Sequence, residues 1–103
     1  MAKPIGVRGS WFASWRGEKL PCAHKRWFKN GHYSDPLVTD DPKWGPFIQA
    51  IRDGGVVILT DDELDPSGIP IRRTGYIATY RVENVSVADA TLEFDFAERL
   101  ESF

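Results

Sequence analysis

Asp41-Pro42-Lys43-Trp44-Gly45-Pro46-Phe47-Ile48-Gln49-Ala50-Ile51-Arg52-Asp53-Gly54-Gly55-Val56-Val57-Ile58-Leu59-Thr60 contains a helix followed directly by a buried strand. Trp44, Phe47, Ile48 and Ile51 recur at i, i+3, i+4 and i+7, which puts them on one apolar stripe of a helix. Asp41 supplies an acidic cap and Pro42 suits the first helical position, where no backbone N–H is needed. Gly54-Gly55 stops the helix, since glycine takes the left-handed cap conformation at no steric cost. A helix is therefore expected over residues 42–53. The four consecutive aliphatics Val56-Val57-Ile58-Leu59 leave no wet face, so residues 56–60 read as a strand covered on both sides.

Strands dominate away from this centre. Trp11–Arg16 and Lys19–Phe28 are rich in strand formers and are expected to pair as a hairpin turning at Gly17-Glu18. Pro21 requires the second strand to start there or to lie at an edge. Gly31 and Ser34-Asp35-Pro36 mark a loop running through Asp40. Asp61–Gly68 reads as a polar turn and Ile69-Pro70-Ile71 as a short extended piece. Gly75–Val87 is a long alternating run that Asn84 breaks or bulges. In Ala90–Ala97, Leu92, Phe94 and Phe96 take one face and Glu93 and Asp95 the other. Glu98–Phe103 is expected to add a helical turn. The fold class is mainly β, a β-rich α+β arrangement. It is expected to be a small antiparallel barrel or strongly curved sheet of five or six strands with one helix over a mouth or flank. A split sheet with the helix on one face is the alternative.

The chain has 103 residues, suited to one domain over 1–103. Cys22 is its only cysteine, so no internal disulfide forms, which fits a reducing compartment. The opening residues lack the apolar run of a secretory signal, and no stretch is long enough to span a bilayer. A cytoplasmic location away from the membrane is expected.

Charge is divided unevenly along the chain. Residues 1–34 carry seven basic side chains against Glu18 alone, whereas residues 35–103 carry six basic and fourteen acidic ones. Trp11, Trp15 and Trp27 fall in the basic part. Interleaved cations and flat rings suit a surface that meets phosphates or bases. If residues 24–29 are extended, Lys25, Trp27 and Lys29 share one face, the parts of a platform for single-stranded nucleic acid. Arg16 and Arg26 would assist. The competing reading makes the tryptophans core residues and the lysines a solvated cover. Arg72-Arg73 could grip a phosphate or carboxylate, or pair with Asp61, Asp62, Glu63 and Asp65 across the preceding loop.

Several chemistries lack support. Cys22, His24, His32 and Asp35 are the only grouping of metal-capable types, without the paired spacings of a zinc site, so no metal or other cofactor is expected. Cys22 and His24 read more readily as a packed thiol and a satisfied imidazole than as a nucleophile and its base. The acidic run after Thr60 has Pro66 where a calcium loop needs glycine. No phosphate-binding glycine loop, dinucleotide fingerprint, nucleophile elbow or zinc-protease motif occurs.

Gly9-Ser10-Trp11-Phe12-Ala13-Ser14-Trp15-Arg16-Gly17-Glu18-Lys19-Leu20-Pro21, with His24 and Trp27 beyond it, resembles small bacterial single-domain proteins with no assigned activity. That resemblance implies no catalytic residue. The element order, a long late strand followed by a second β run, is more loosely similar to PUA-like small barrels, many of which bind RNA or modified bases. The function expected is a noncatalytic binding module for single-stranded nucleic acid or a nucleotide-like anion, using Arg16, Lys25, Arg26, Trp27, Lys29, Arg72 and Arg73. The alternative is a protein–protein interaction domain whose basic face meets an acidic partner. A small enzyme using His24 or His32 as acid–base catalyst ranks third.

Overall fold

The computed structural model describes residues 2–38 and 41–103, so the end of the expected loop, at Thr39 and Asp40, lies outside the described residues. Eight strands and one α-helix follow in chain order: β1 (Ile5–Gly6), β2 (Phe12–Trp15), β3 (Glu18–His24), β4 (Phe28–Lys29), β5 (His32–Asp35), α1 (Gly45–Gly54), β6 (Val56–Leu64), β7 (Pro70–Ala88) and β8 (Thr91–Ser102). All strands join one sheet in the order β1-β2-β3-β6-β7-β8-β5-β4. The β-rich class with a single α-helix is as expected. The sheet, however, is open, with the two-residue strands β1 and β4 at its edges. It is also not wholly antiparallel, because β3 and β6 run parallel. Parallel neighbours need a long crossover, and β4, β5 and α1 supply it.

The central strand β6 buries both faces. Val57 and Leu59 join a core with Ala23, Phe47, Ile48, Ile51, Val82, Leu92 and Phe94, while Ile58 joins Ala13, Leu20 and Cys22 on the other side. The helix meets the first core through Phe47, Ile48 and Ile51. A 3-10 turn at Pro42–Trp44 precedes it, capped by Asp41, whose Oδ1 accepts the Lys43 N–H at 3.0 Å. Gly55 ends the helix at φ 64°.

Turn chemistry accounts for the extra strands. Arg16-Gly17, Asn30-Gly31 and Asp89-Ala90 each place two successive residues at positive φ, the geometry that matches strand twist in two-residue hairpins. The first hairpin therefore turns one residue earlier than Gly17-Glu18. Asn30-Gly31 joins β4 to β5 where only a loop was expected. β6 continues through the expected polar turn to Leu64, held to β7 across three register shifts. Asn84, at φ 57°, sits in a bulge between Glu83 and Ser86. The last residues extend β8 to Ser102 instead of turning helically, and the Phe103 N–H donates to the Ile77 carbonyl. Pro21 lies inside β3, not at its start. The next N–H, that of Cys22, donates to the Trp11 carbonyl, so the Pro21 nitrogen faces the other side, where pairing to β6 begins only at Cys22.

Strong curvature brings strands together that are not sheet neighbours. Trp15 on β2 donates its indole N–H to Glu101 on β8, and its ring meets that of Phe103 at 4.9 Å. At the far edge, His32 bridges β5 to β8: Nδ1 lies 2.7 Å from Asp95 and Nε2 2.9 Å from Glu93. Only the doubly protonated ring donates to both carboxylates.

These hydrogen bonds, to Asp95 first and Glu93 second, raise the His32 pKa above its ordinary value. A raised folded-state pKa contributes stability that is complete below the unfolded value and is lost as pH rises through the folded one. Thermal melts of the native protein should therefore show a decline, as pH rises past the ordinary imidazole value, that His32→Gln lacks. Identical pH profiles for the two proteins would refute the bridge.

Candidate anion-binding cleft

Arg73, near the start of β7, reaches across the curved sheet to the opening hairpin. Its Nη1 donates to the Phe12 carbonyl at 2.9 Å and its Nη2 to the Val7 carbonyl at 3.3 Å. The guanidinium carbon lies 5.5 Å from the centre of the Trp11 ring, within cation–π range. Val7–Ser10 forms a tight turn: the Ser10 hydroxyl donates to the Val7 carbonyl and accepts the Phe12 N–H. Gly9 takes φ 74° within it.

A cleft of about 470 Å³ opens beside this junction, lined by Gly9, Ser10, Trp11, Ile71, Arg72, Arg73 and Tyr76. Its volume is that of an ordinary small-molecule site. Arg72 is exposed and uses its Nε to hold Glu63 at 3.0 Å, which leaves both terminal nitrogens without a partner among the described residues. Burial raises the Tyr76 pKa, with the Arg73 charge pulling it down, so the phenol remains a neutral donor. Among the described residues no carboxylate lines this cleft. Three other clefts each contain one or more: Asp61 and Asp62 beside Lys25, Arg26 and Leu64; Glu101 beside Trp15 and Arg16; Glu18 beside Lys19 and Leu20.

Next to the cleft lies a nearly dry polar network. The His24 and Asp62 side chains are 4% and 2% exposed, and His24 Nδ1 is 2.9 Å from Asp62 Oδ2. The Thr60 hydroxyl lies 3.1 Å from the same oxygen. Trp11 and Trp27 meet the imidazole edge-on, at 4.5 and 5.4 Å. The backbone N–H of His24 donates to the Tyr33 hydroxyl, which donates to Asp35. No buried side-chain nitrogen or oxygen among the described residues lacks a partner. Cys22 is buried against Arg73, and burial pushes its thiol up to about 11, the opposite of an activated nucleophile.

The site residues expected from sequence fall in different places. Arg72 and Arg73 line the main cleft together with Trp11. Lys25 and Arg26 line the mixed-charge cleft, and Arg26 donates to the Gly68 carbonyl. Arg16 is held by a two-pronged pair with Glu101. Trp27 is half-buried against His24, and Lys29 is exposed on β4. The extended segment through residue 29 does not form. β3 ends at His24, and Lys25–Trp27 is a 3-10 turn. Three residues per turn replace the alternation that would have put Lys25, Trp27 and Lys29 on one face. Of the two arginines, Arg72 pairs with Glu63 on β6, one of the acids expected from the sequence, while Arg73 turns to backbone carbonyls instead.

Sequence reasoning missed Gly6, Ser10 and Tyr76. A side chain on Gly6 would put its Cβ 2.9 Å from the Tyr76 hydroxyl and 3.0 Å from Arg73 Nη2. The only available signal was Gly6-Val7-Arg8-Gly9, too short a pattern to interpret without the partner strand. Comparison with protein-family models, with curated proteins and with solved structures gives no match.

Two substitutions test this construction. Gly6→Ala pushes aside the ends of two flexible side chains, the Arg73 fork and the Tyr76 hydroxyl, and should cost no more than about 1 kcal/mol, that of a displaced hydrogen bond. An unchanged denaturation midpoint would show that the close approach is unimportant. Asp62→Ala leaves His24 and Thr60 without their shared acceptor and should cost about 1–3 kcal/mol in chemical denaturation. A loss within error of zero would mean the pair is dispensable.

Proposed function

We propose that this protein is a noncatalytic binding module for a nucleotide-like anionic ligand, free or carried in single-stranded nucleic acid. The supporting observation is the convergence of Arg72, Arg73, Tyr76 and the Trp11 turn around one concavity, with no carboxylate among its described lining residues and Glu63 behind Arg72. Guanidinium forks match phosphate oxygens in geometry as well as charge. An indole edge and Ile71 give the same cleft an apolar wall for a base or sugar. Lys25 and Arg26 stand apart from it, in a second cleft that Asp61 and Asp62 share. The module works in the reducing cytoplasm, where a buried free thiol such as Cys22 persists. No helix among the described residues is long and apolar enough to cross a membrane.

The cleft favours this reading over the acidic-partner alternative. Arg16 and Arg72 already hold Glu101 and Glu63 of the same chain, which reduces the basic face that a protein partner would meet. Titrating a short single-stranded oligonucleotide and a nucleoside triphosphate while following tryptophan emission tests the proposal. Saturable quenching should weaken between about 50 and 200 mM salt, as expected for phosphate contacts. Arg72→Ala should weaken binding about tenfold, the effect of one charge-assisted contact. Absence of saturation for both ligands, or binding indifferent to salt, would refute the assignment.

A further inference from the structure

The free donors of the cleft are concentrated on two adjacent guanidiniums. Arg72 presents both terminal nitrogens, and Arg73 retains Nε and one Nη2 hydrogen after its bonds to Val7, Phe12 and Cys22. Tyr76 adds a hydroxyl with no partner among the described residues. These donors outnumber the two free oxygens of a phosphodiester, and the Arg72 charge, offset by Glu63, becomes available when that side chain moves. A phosphate monoester at neutral pH offers three terminal oxygens and nearly two charges. The strand on one side of the cleft also disfavours a polyanion. Asp61, Glu63 and Asp65 lie along β6 and its turn, beside the stretch of β7 that carries Arg72 and Arg73, and their charges repel a polyanion.

Resting on the binding function above, we infer that the Arg72–Arg73 pair recognises a terminal phosphate monoester, borne by a free mononucleotide or by the phosphorylated end of a strand. Internal phosphodiesters are not its target. Arg73 is fixed by its two carbonyl bonds and orients the ligand, while Arg72 closes over the outer oxygens, exchanging part of its contact with Glu63. The Trp11 turn then meets the sugar or base.

Isothermal titration of the full chain with adenosine, adenosine 5′-monophosphate, inorganic phosphate, inorganic sulfate, and a short thymidine oligonucleotide with and without a 5′-phosphate reads this directly. The monophosphate should bind at least tenfold more tightly than adenosine, or the phosphorylated strand at least tenfold more tightly than its unphosphorylated counterpart. Whichever of the two shows the larger gain identifies the source of the monoester. Binding of adenosine 5′-monophosphate should strengthen from about pH 5 to 7.5, as the second ionisation of the ester, at about pH 6, completes. Sulfate, which does not titrate there, reports any contribution from His24, which touches Trp11, and from Cys22 and Tyr76 beside Arg73. Its affinity should stay flat. Arg72→Gln should remove the monoester preference, and Arg72→Lys should restore it in part, with melting curves confirming that both variants fold. Equal binding with and without the terminal phosphate overturns the inference while leaving the binding function standing. A parallel rise for sulfate and the monophosphate also overturns it. Absence of binding by every ligand removes both.

Discussion

The Arg73 guanidinium holds two distant parts of the chain in one place. It leaves β7, spans the concave side of the curved sheet and ends on the Val7 and Phe12 carbonyls. In water such bonds contribute little net stability, because each group exchanges one partner for another. In this half-buried position they do more, since the two carbonyls fix where the charge sits and Trp11 covers its face. The close approach requires Gly6, whose missing side chain leaves room for the guanidinium and the Tyr76 hydroxyl. The cleft, its charge and its aromatic wall all follow from that junction.

Electrostatics divides the molecule differently from the way charge is distributed along the chain. Ion pairs join the basic opening segment to the acidic remainder. Arg16 meets Glu101 near the other end of the chain, and His32 meets Glu93 and Asp95 on β8. Such exposed pairs are individually weak and weaken further with salt. They nonetheless determine which cations keep free donors, Arg72 and Arg73 among them. The buried His24–Asp62 pair has a different role. It places its polar atoms where each has a partner, and it gives Trp11 and Trp27 a rigid edge to pack against.

Much of the β architecture was legible in local patterns. The stripe from Trp44 to Ile51 packs as a helix against the core, and the run from Val57 to Thr60 is buried on both faces. The alternation from Leu92 to Phe96 puts rings inward, with Phe94 stacked on Tyr33 at 4.7 Å, and acids outward to meet His32. These succeed because hydrophobic burial acts on neighbours a few residues apart. Expectations failed where a choice depended on a remote partner or a turn geometry. The parallel pairing of β3 with β6 needs the whole crossover between them. The Asn30-Gly31 hairpin has strands only two and four residues long, too short for a periodic signal. The 3-10 turn after His24 arises where the strand leaves its ladder, and it disperses the Lys25–Lys29 platform that an extended chain would have built.

Composition and periodicity by themselves determined the β-rich class, the one amphipathic helix and the presence of cations beside large rings. Both are properties of short windows, in which side-chain spacing and backbone preference decide the outcome. Only the tertiary structure decided which cations keep donors available and where they gather. That outcome depends on sheet curvature, which places Gly6, Trp11, Arg72, Arg73 and Tyr76 around one space although they lie far apart in the chain. Coulombic and hydrogen-bonding contacts depend on distance in space, and distance in space is set by the fold.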